Sequence, residues 1–360
     1  MFILPSTSAL GEATLLDTSA SFPYQTIAVT GGTGTFGWAF LTYMRQHFPE
    51  VNIRILSRHE DLQVHMRATF GDKHVSYLLG DVRDLERLRI AFRGVECVIH
   101  AAALKHVDRS EYDAEEFWRT NILGTSNVIR ACIWSGVDQA IILSSDKAVH
   151  SVNVYGSTKA VAEKLFVQAN QYSPHGTRFS AVRYGNVMGA RGSVVKHWRD
   201  ALAHGQALLV TDPAMSRFWL SPEDAVRLVV WTVGHGLRGG VVIPHLPAFT
   251  LGDLRQAMQP EPHWETIGRR PGEKVSELLM TADEQARAYF YAPSSRVPVL
   301  YVVPPLVQAW GESSERALWA IPPTGLAYGR CDASPQVPYD SAAWPWRLRV
   351  DDLRGRLETV

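Results

Sequence analysis

Short apolar runs alternate with longer amphipathic segments along the first half of the chain. The apolar runs that predict strands are residues 26–30, 51–57, 75–80, 96–102, 139–145 and 179–184. Between them, the helical repeat of apolar residues predicts helices over residues 36–48, 84–93, 111–133 and 155–173. Strands and helices that alternate in this way form βαβ units. We therefore predict an α/β fold of Rossmann type with a doubly wound parallel sheet.

This regular alternation ends after residue 186. Residues 193–206 and 222–237 still have helical spacing, whereas prolines and glycines interrupt residues 240–275. We predict a smaller substrate-binding lobe over the carboxyl ends of the strands, where ligands bind in such sheets. We expect three parts. They are an N-terminal extension over residues 1–23, a Rossmann domain over residues 24–190 to which later elements return, and a substrate-binding lobe with a tail over residues 191–360.

Composition restricts the class of protein. Lys and Arg together number 36, as do Asp and Glu, so the formal net charge is zero and favours no nucleic-acid or anionic-membrane partner. The apolar start of the chain is too short for a signal peptide, and no apolar run is long enough to span a membrane. The three cysteines lack metal-binding spacing and favour free thiols. These features predict a cytoplasmic protein without a bound metal.

A glycine-rich segment, TGGTGTFG at residues 30–37, follows the first predicted strand and begins a predicted helix. Such glycines allow a tight turn whose backbone approaches a pyrophosphate at the helix N-terminus. The pattern predicts a dinucleotide site. We assign the loop residues Gly31, Thr33, Gly34, Thr35, Phe36 and Gly37 to it, and complete the pocket with Asp81, Val82, Ala101, Ala102 and Val187.

The end of the second predicted strand bears on the choice of cofactor. Many NAD-binding proteins carry an acidic residue there for the ribose hydroxyls, but this chain has Ser57 and Arg58. The arginine guanidinium can form a forked pair with a 2′-phosphate. We therefore predict NADP, with NAD as the alternative, because an exposed arginine at a strand end is also common.

Residues 144–159 carry the strongest chemical signal. Tyr155 and Lys159 are four residues apart, so they share one face of a predicted helix, and Ser145 ends the preceding strand. A tyrosine beside a lysine can accept a hydroxyl proton during hydride transfer. We expect Lys159, with the oxidised nicotinamide nearby, to bring the pKa of Tyr155 down toward the working range. Both side chains would then contact the cofactor as well as the substrate.

Asp146 and Lys147 follow Ser145 directly and add an acid and a base that a simple dehydrogenase does not need. Once C4 of a hexose is a ketone, its C5 proton is acidified and an amine can remove it. A carboxylic acid can protonate the departing C6 hydroxyl. A solvated turn at the strand end would explain the two residues equally well. The chemical interpretation predicts oxidation, elimination and reduction in one pocket, which is the reaction of a sugar 4,6-dehydratase.

Polar residues in the second half of the chain fit a nucleotide-linked substrate. Arginine suits a diphosphate, and a glutamate can accept hydrogen bonds from ribose hydroxyls. Each residue alone would be an ordinary surface side chain, and it is the set that predicts substrate binding. Its members are Asn186, Ser193, Arg217, Arg270 and Glu273.

Seven short segments occur in the order typical of the extended short-chain dehydrogenase/reductase superfamily, at residues 30–37, 80–84, 100–106, 144–148, 155–159, 183–187 and 270–274. Within it, the chain resembles the soluble, inverting UDP-N-acetylglucosamine 4,6-dehydratases of the polysaccharide-biosynthesis branch. The likeness runs from residue 25 to 280 and is fainter through the tail segment 339–348. It implies NADP that stays bound through turnover, a UDP-sugar substrate, and a dimeric or hexameric homo-oligomer.

The resemblance also implies residue roles. Lys147 would be the C5 base and Asp146 the acid for the C6 hydroxyl. Tyr155 would take the C4 hydroxyl proton, helped by Lys159 and Ser145. Lys105 would reach the substrate, and Asn121 matches a structural asparagine of the superfamily. Tyr155 stands where membrane-anchored relatives that retain stereochemistry carry methionine. The chain departs from the pattern at His150, Ser151 and Ser276.

Three other functions stay open at this point. A nucleotide-sugar epimerase would use the same oxidation without loss of water. A dehydratase that releases a 5,6-ene would stop before the final reduction. A non-catalytic NADP-binding partner protein would bind the cofactor without turnover, which the intact Tyr155 and Lys159 pair opposes. The configuration of the sugar and the identity of the nucleotide are also left open.

Overall fold

A central sheet dominates the computed structural model, which describes residues 22–173, 176–190, 192–258, 263–292, 300–306, 327–330 and 338–358. Residues 1–21 of the predicted extension and Cys331 lie outside these ranges. The first eight strands are Thr26–Thr30 (β1), Asn52–Ser57 (β2), Val75–Leu79 (β3), Cys97–His100 (β4), Gln139–Ser145 (β5), Arg178–Tyr184 (β6), Leu208–Val210 (β7) and Ser216–Phe218 (β8). The next eight are Val241–Pro244 (β9), Ala248–Thr250 (β10), Trp264–Thr266 (β11), Leu278–Met280 (β12), Tyr289–Ala292 (β13), Leu300–Val303 (β14), Ala327–Arg330 (β15) and Tyr339–Asp340 (β16).

Helices connect these strands. Those of the first half are Thr35–His47 (α1), Glu60–Phe70 (α2), Leu85–Ala91 (α3), Val107–Ser110 (α4), Ala114–Phe117 (α5), Gly124–Ser135 (α6) and Val154–Gln168 (α7). Those of the second half are Val194–Ala203 (α8), Pro222–His235 (α9), Leu251–Met258 (α10), Ala282–Arg287 (α11) and Val350–Leu357 (α12). None of the described helices is both long and apolar enough to cross a membrane.

The strand order of the central sheet is β15-β13-β14-β9-β6-β5-β4-β1-β2-β3. Strands β1 to β6 and β9 are parallel, and β13, β14 and β15 extend the sheet with antiparallel pairs. The order 3-2-1-4-5-6 within it is that of a doubly wound Rossmann sheet. Every residue of β4 and β5 is buried, as expected for strands covered on both faces. The predicted fold class is confirmed.

Two helical regions of the structure differ from the sequence-based prediction. The segment 111–133 is interrupted by a π-helical turn at Trp118–Leu123. This turn directs the Asn121 side chain inward, where it hydrogen-bonds both backbone groups of Leu104 and the hydroxyl of Thr158. Helix α2 was not predicted, because it buries only Gln63 and Met66 and its apolar repeat is therefore weak.

Two hydrophobic cores lie in the described part of the chain. The larger one surrounds the central sheet and includes residues of α9, β9 and β14, so elements of the second half do return to the Rossmann sheet. The smaller one joins α8, β7, α10 and α12 through side chains such as Trp198, Leu208, Leu254 and Leu353. The boundary proposed between residues 190 and 191 stays a prediction.

Candidate functional site

A cleft of about 740 Å³ follows the carboxyl ends of β1 to β6. Parallel strands bring residues from distant parts of the chain to this edge. Among the predicted residues, its walls contain Gly31, Thr33, Gly34, Thr35, Phe36, Ser57, Arg58, Val82, Ala101, Ala102, Lys105, Ser145, Lys147, Tyr155, Lys159, Asn186, Val187 and Ser193. Cofactor and chemical residues therefore share one cleft. Among the described residues, no cluster of three or more His, Cys, Asp or Glu side chains could hold a metal.

The glycine-rich loop fits a dinucleotide. Gly31 has a φ of +66°, and a Cβ there would lie 2.7 Å from the Cα of Ala102. Gly34 caps helix α1 and has no side chain that could accept from the first N–H groups of the helix. These groups and the positive end of the helix dipole favour a diphosphate.

Gly37 does not line the cleft but controls how α1 packs on the loop. A Cβ at this position would lie 1.9 Å from the carbonyl oxygen of Gly32. Gly37→Ala should therefore destabilise the protein by about 2–3 kcal/mol, since overpacking forces the backbone apart. Cofactor affinity should fall with it. Thermal unfolding and calorimetric titration with NADP would measure both effects.

Gly234 provides the matched control for that substitution. It lies in the last turns of α9, and a Cβ there would meet no atom within 4 Å. Gly234→Ala should stabilise the protein by about 0.5–1 kcal/mol, because alanine loses less backbone entropy in a helix. Equal unfolding temperatures for the two variants would contradict the close packing inferred at Gly37.

The predicted 2′-phosphate pocket lies at the ends of β2 and β3. Arg58 is 39% exposed, and its guanidinium lies 3.7 Å from Asp81, whereas Arg83 contacts the same carboxylate at 2.7 Å. Burial alone would raise the pKa of Asp81, but hydrogen bonds from Arg83 and the charge of Arg58 outweigh it and lower the pKa. Ser57 is buried, and its hydroxyl accepts a hydrogen bond from Gln63. Arg58 thus lies at the cleft wall and pairs with Asp81 less closely than Arg83 does.

Tyr155 and Lys159 lie on one face of α7, as predicted, and both are buried. The expected lowering of the Tyr155 pKa by Lys159 and a bound oxidised nicotinamide stays a prediction. Burial raises the pKa of Tyr155, and the groups that oppose this rise are the Lys147 charge and a hydrogen bond with Ser145. Lys159 donates instead to the carbonyl of Leu143, and burial lowers its pKa to about 8.

Asp146, which is buried, and Lys147, which is partly exposed, form an ion pair next to Ser145. Oδ1 of Asp146 accepts from Ser145 Oγ at 2.8 Å and from Lys147 Nζ at 3.0 Å. Asp146 is fully buried and does not line the cleft, whereas Ser145 and Lys147 do. Burial alone would lower the pKa of Lys147, but Asp146 and Glu277 outweigh it and raise the pKa. Glu277 is not among the predicted residues, because only the fold brings it to Lys147.

The predicted substrate-binding residues fall into two groups. Asn186 faces the cleft, and its buried Oδ1 has no hydrogen-bond partner among the described residues, which suits a ligand donor. Arg217 donates to the carbonyls of Ser216 and Lys274, so it ties β8 to the segment before β12. Arg270 and Glu273 form a turn outside the cleft wall, in which the carboxylate accepts from the Arg270 N–H. Substrate binding by all of the predicted residues, including those that line the cleft, stays a prediction.

The strand ends of this Rossmann sheet bring a glycine-rich loop to Ser145, Tyr155 and Lys159. This is the arrangement of short-chain dehydrogenases/reductases. Within that class, residues 27–298 match the family described as polysaccharide biosynthesis protein. The chain belongs to this family, and the resemblance found in the sequence is confirmed.

Curated relatives include two kinds of sugar-nucleotide enzyme. The inverting UDP-N-acetylglucosamine 4,6-dehydratase of Campylobacter jejuni, strain 81-176, is 41% identical over 285 residues, which are 78% of this chain and 85% of that protein. The UDP-glucose 4-epimerase of Rickettsia massiliae is 38% identical over 286 residues, 77% of this chain and 84% of that protein.

Solved structures support the fold. Pen from Bacillus thuringiensis has a TM-score of 0.81 and 33% identity, covering 94% of this chain and 98% of that one. DesIV of Streptomyces venezuelae, a dTDP-glucose 4,6-dehydratase with NAD and TYD bound, has a TM-score of 0.61 and 21% identity, covering 69% and 86%. At that identity the second likeness extends to the fold alone, and the predicted preference for NADP stays a prediction.

Proposed function

We propose that the protein is a C5-inverting UDP-N-acetylglucosamine 4,6-dehydratase that makes a UDP-4-keto-6-deoxy-HexNAc for glycan or modified-sugar biosynthesis. The observation that carries this proposal is the Asp146 and Lys147 pair beside Tyr155, which adds an acid and a base to the dehydrogenase residues. The 41% identity to a dehydratase of this activity supports the same conclusion.

Each of the residues near Tyr155 has a separate role in the reaction. A nicotinamide cofactor held by the glycine-rich loop would supply the hydride chemistry, oxidation at C4 and reduction at C6, and a proton returns to C5 in the last step. Tyr155 accepts the C4 hydroxyl proton, and Lys147 takes the C5 proton that the new ketone acidifies. Asp146 supplies the proton with which the C6 oxygen leaves as water. Because Asp146 is buried, its proton passes through Ser145 or Lys147, the two contacting groups that line the cleft.

NADP is the proposed cofactor, held by Ser57 and Arg58. Arg58→Ala should raise the dissociation constant for NADP roughly ten- to hundredfold, because hydrogen bonds to a charged phosphate contribute about 1.5–3 kcal/mol. The dissociation constant for NAD, which lacks the 2′-phosphate, should change little. Calorimetric titration of both cofactors measures the difference.

Arg67 is a suitable control for the cofactor experiment, since it is an exposed arginine on the following helix, paired with Asp72 at 2.6 Å. Arg67→Ala should leave both dissociation constants unchanged. A wild type that prefers NAD, or an Arg58 variant that loses both cofactors equally, would contradict the assignment to NADP.

The observation in support of the epimerase alternative is the 38% identity to a UDP-glucose 4-epimerase. Incubation with UDP-N-acetylglucosamine in deuterated water, followed by NMR, separates the reactions. A C6 methyl group with deuterium at C5 and an L-arabino ring is the expected result. A D-xylo ring would contradict inversion, and an intact C6 hydroxymethyl group with altered ring stereochemistry would establish an epimerase.

The proposal includes a cytoplasmic homo-oligomer, dimeric or hexameric, with a UDP-sugar as its substrate. The buried free thiols of Cys97 and Cys132 are compatible with a reducing compartment. Light scattering on the purified protein would give the number of subunits, and a monomeric mass would contradict this part of the proposal.

A further inference from the structure

Glu277, a buried residue just before β12, contacts the amine of Lys147. Its Oε1 lies 3.3 Å from Nζ of Lys147, and Oδ1 of Asp146 lies 3.0 Å from the same nitrogen. The side chains of Glu277 and Asp146 are 3% and 0% exposed. Water therefore screens these charges weakly. Lys147 is held between two carboxylates from distant parts of the chain.

The C-terminal segment fixes the backbone of Glu277. The Glu277 N–H donates to Ser341 Oγ, and the Ser341 N–H donates to the Glu277 carbonyl, each at 2.9 Å. Ser341 Oγ also hydrogen-bonds Ser216, and β16 pairs with β12. A backbone held on both sides restricts where the side chain can lie. The fold thus delivers a second carboxylate to a defined place beside Lys147.

We infer that Glu277 is a positioning residue that holds the Lys147 amine beside the cleft and sets the pH range in which the Asp146 and Lys147 pair is active. The inference rests on the function proposed above. An amine can take the C5 proton only when it carries no extra proton of its own. A negative charge beside the Asp146 and Lys147 pair opposes loss of the extra proton and favours uptake of a further proton, so it shifts the pH range in which the pair is active.

The proton balance makes this effect specific. Before reaction Lys147 is an ammonium and Asp146 a carboxylate, and moving one proton from Nζ to Asp146 creates the base and the acid together. The C5 proton then goes to the amine, and the Asp146 proton leaves with the C6 oxygen as water. An ionised Glu277 keeps the shared proton on Lys147, so its charge opposes formation of the reactive pair.

Other charges around Lys147 and Glu277 reduce the effect of the Glu277 charge on the shared proton. Burial raises the pKa of Glu277, and the Lys147 charge opposes that rise. Lys274 Nζ lies 3.9 Å from Oε2 of Glu277, an oxygen with no hydrogen-bond partner among the described residues. The titratable and charged groups that act on Lys147 or Glu277 are Asp146, Tyr155, Arg217 and Lys274.

Glu277→Gln tests the inference, because it keeps the shape of the side chain and removes the charge. The acidic limb of the pH profile of kcat/KM for UDP-N-acetylglucosamine should move to lower pH by about one unit or more. Glu284→Gln is the control. It removes the charge of a partly buried glutamate, paired with Arg183 at 2.9 Å, and should lower the unfolding temperature without moving the limb.

A limb that stays in place, or moves to higher pH, in folded Glu277→Gln would overturn the inference. If that variant does not fold, Glu277→Asp provides the test, since it keeps the charge but withdraws it by one methylene. Its kcat should fall by at least about tenfold through misplacement of the amine, and wild-type kcat would overturn the positioning role. A wild type that does not dehydrate the substrate contradicts the proposed function instead, so the two failures are distinguishable.

Discussion

Lys147→Arg should lower kcat for dehydration by about 10²- to 10⁴-fold, the usual contribution of a general base. Arginine keeps a cation between Asp146 and Glu277, so the buried carboxylates stay paired. It cannot give up its proton under working conditions. Turnover and deuterium incorporation at C5 measure the loss, while NADP affinity and the unfolding temperature should remain near those of the wild type.

Lys147→Ala should show the same kinetic loss together with a loss of stability. Removing the cation leaves two buried carboxylates without their partner, which costs about 3–5 kcal/mol for a broken buried pair. Lys164→Ala, an exposed lysine on α7, is the control and should keep full activity. Substantial turnover by Lys147→Arg would show that a cation, rather than a base, is needed at this position.

Tyr155→Phe should lower kcat by about 10²- to 10⁴-fold, because the phenol oxygen that accepts the C4 hydroxyl proton is lost. Tyr155→Phe should stop the reaction at an earlier step than the Lys147 variants do. Lys147→Arg should still oxidise C4 and give the absorbance of reduced nicotinamide in a single turnover, whereas Tyr155→Phe should not. Burial raises the pKa of Tyr155, so the rate of this oxidation in the wild type should increase with pH as the phenol ionises.

Tyr172→Phe is the control for the tyrosine substitution. Tyr172 is exposed after α7, and its hydroxyl accepts a hydrogen bond from Gln168. This variant should turn over as the wild type does. Full reduction of the nicotinamide by Tyr155→Phe would assign the first proton transfer to another group, such as Ser145.

Local patterns predicted the cofactor loop and the helix that carries Tyr155 and Lys159. Spacing along a helix or a tight turn is read directly from neighbouring residues, and the structure brings both patterns to one cleft. The contribution of Lys147 could not be predicted in this way. Its charge acts on the phenol of Tyr155, and the Lys159 amine donates to the Leu143 carbonyl. Side-chain direction and burial, which spacing along the chain does not give, determine both contacts.

The substrate-binding residues, too, could be predicted from the sequence only in part. Asn186 follows β6 and reaches the cleft because all parallel strands end at one edge. Arg217 and Arg270 lie in short or irregular elements, where sequence spacing gives no direction for a side chain. The structure places Arg217 against backbone carbonyls and Arg270 in a turn.

By itself the sequence determined six strands of the parallel sheet, four of the helical connections between them, the glycine-rich loop and the Ser145 to Lys159 segment. Each of these depends on periodicity or on residues that are close along the chain. Only the tertiary structure decided that β9, β13, β14 and β15 extend the sheet and that Glu277 joins Lys147. Pairing between distant segments depends on how whole surfaces pack, and no short stretch of sequence contains that information.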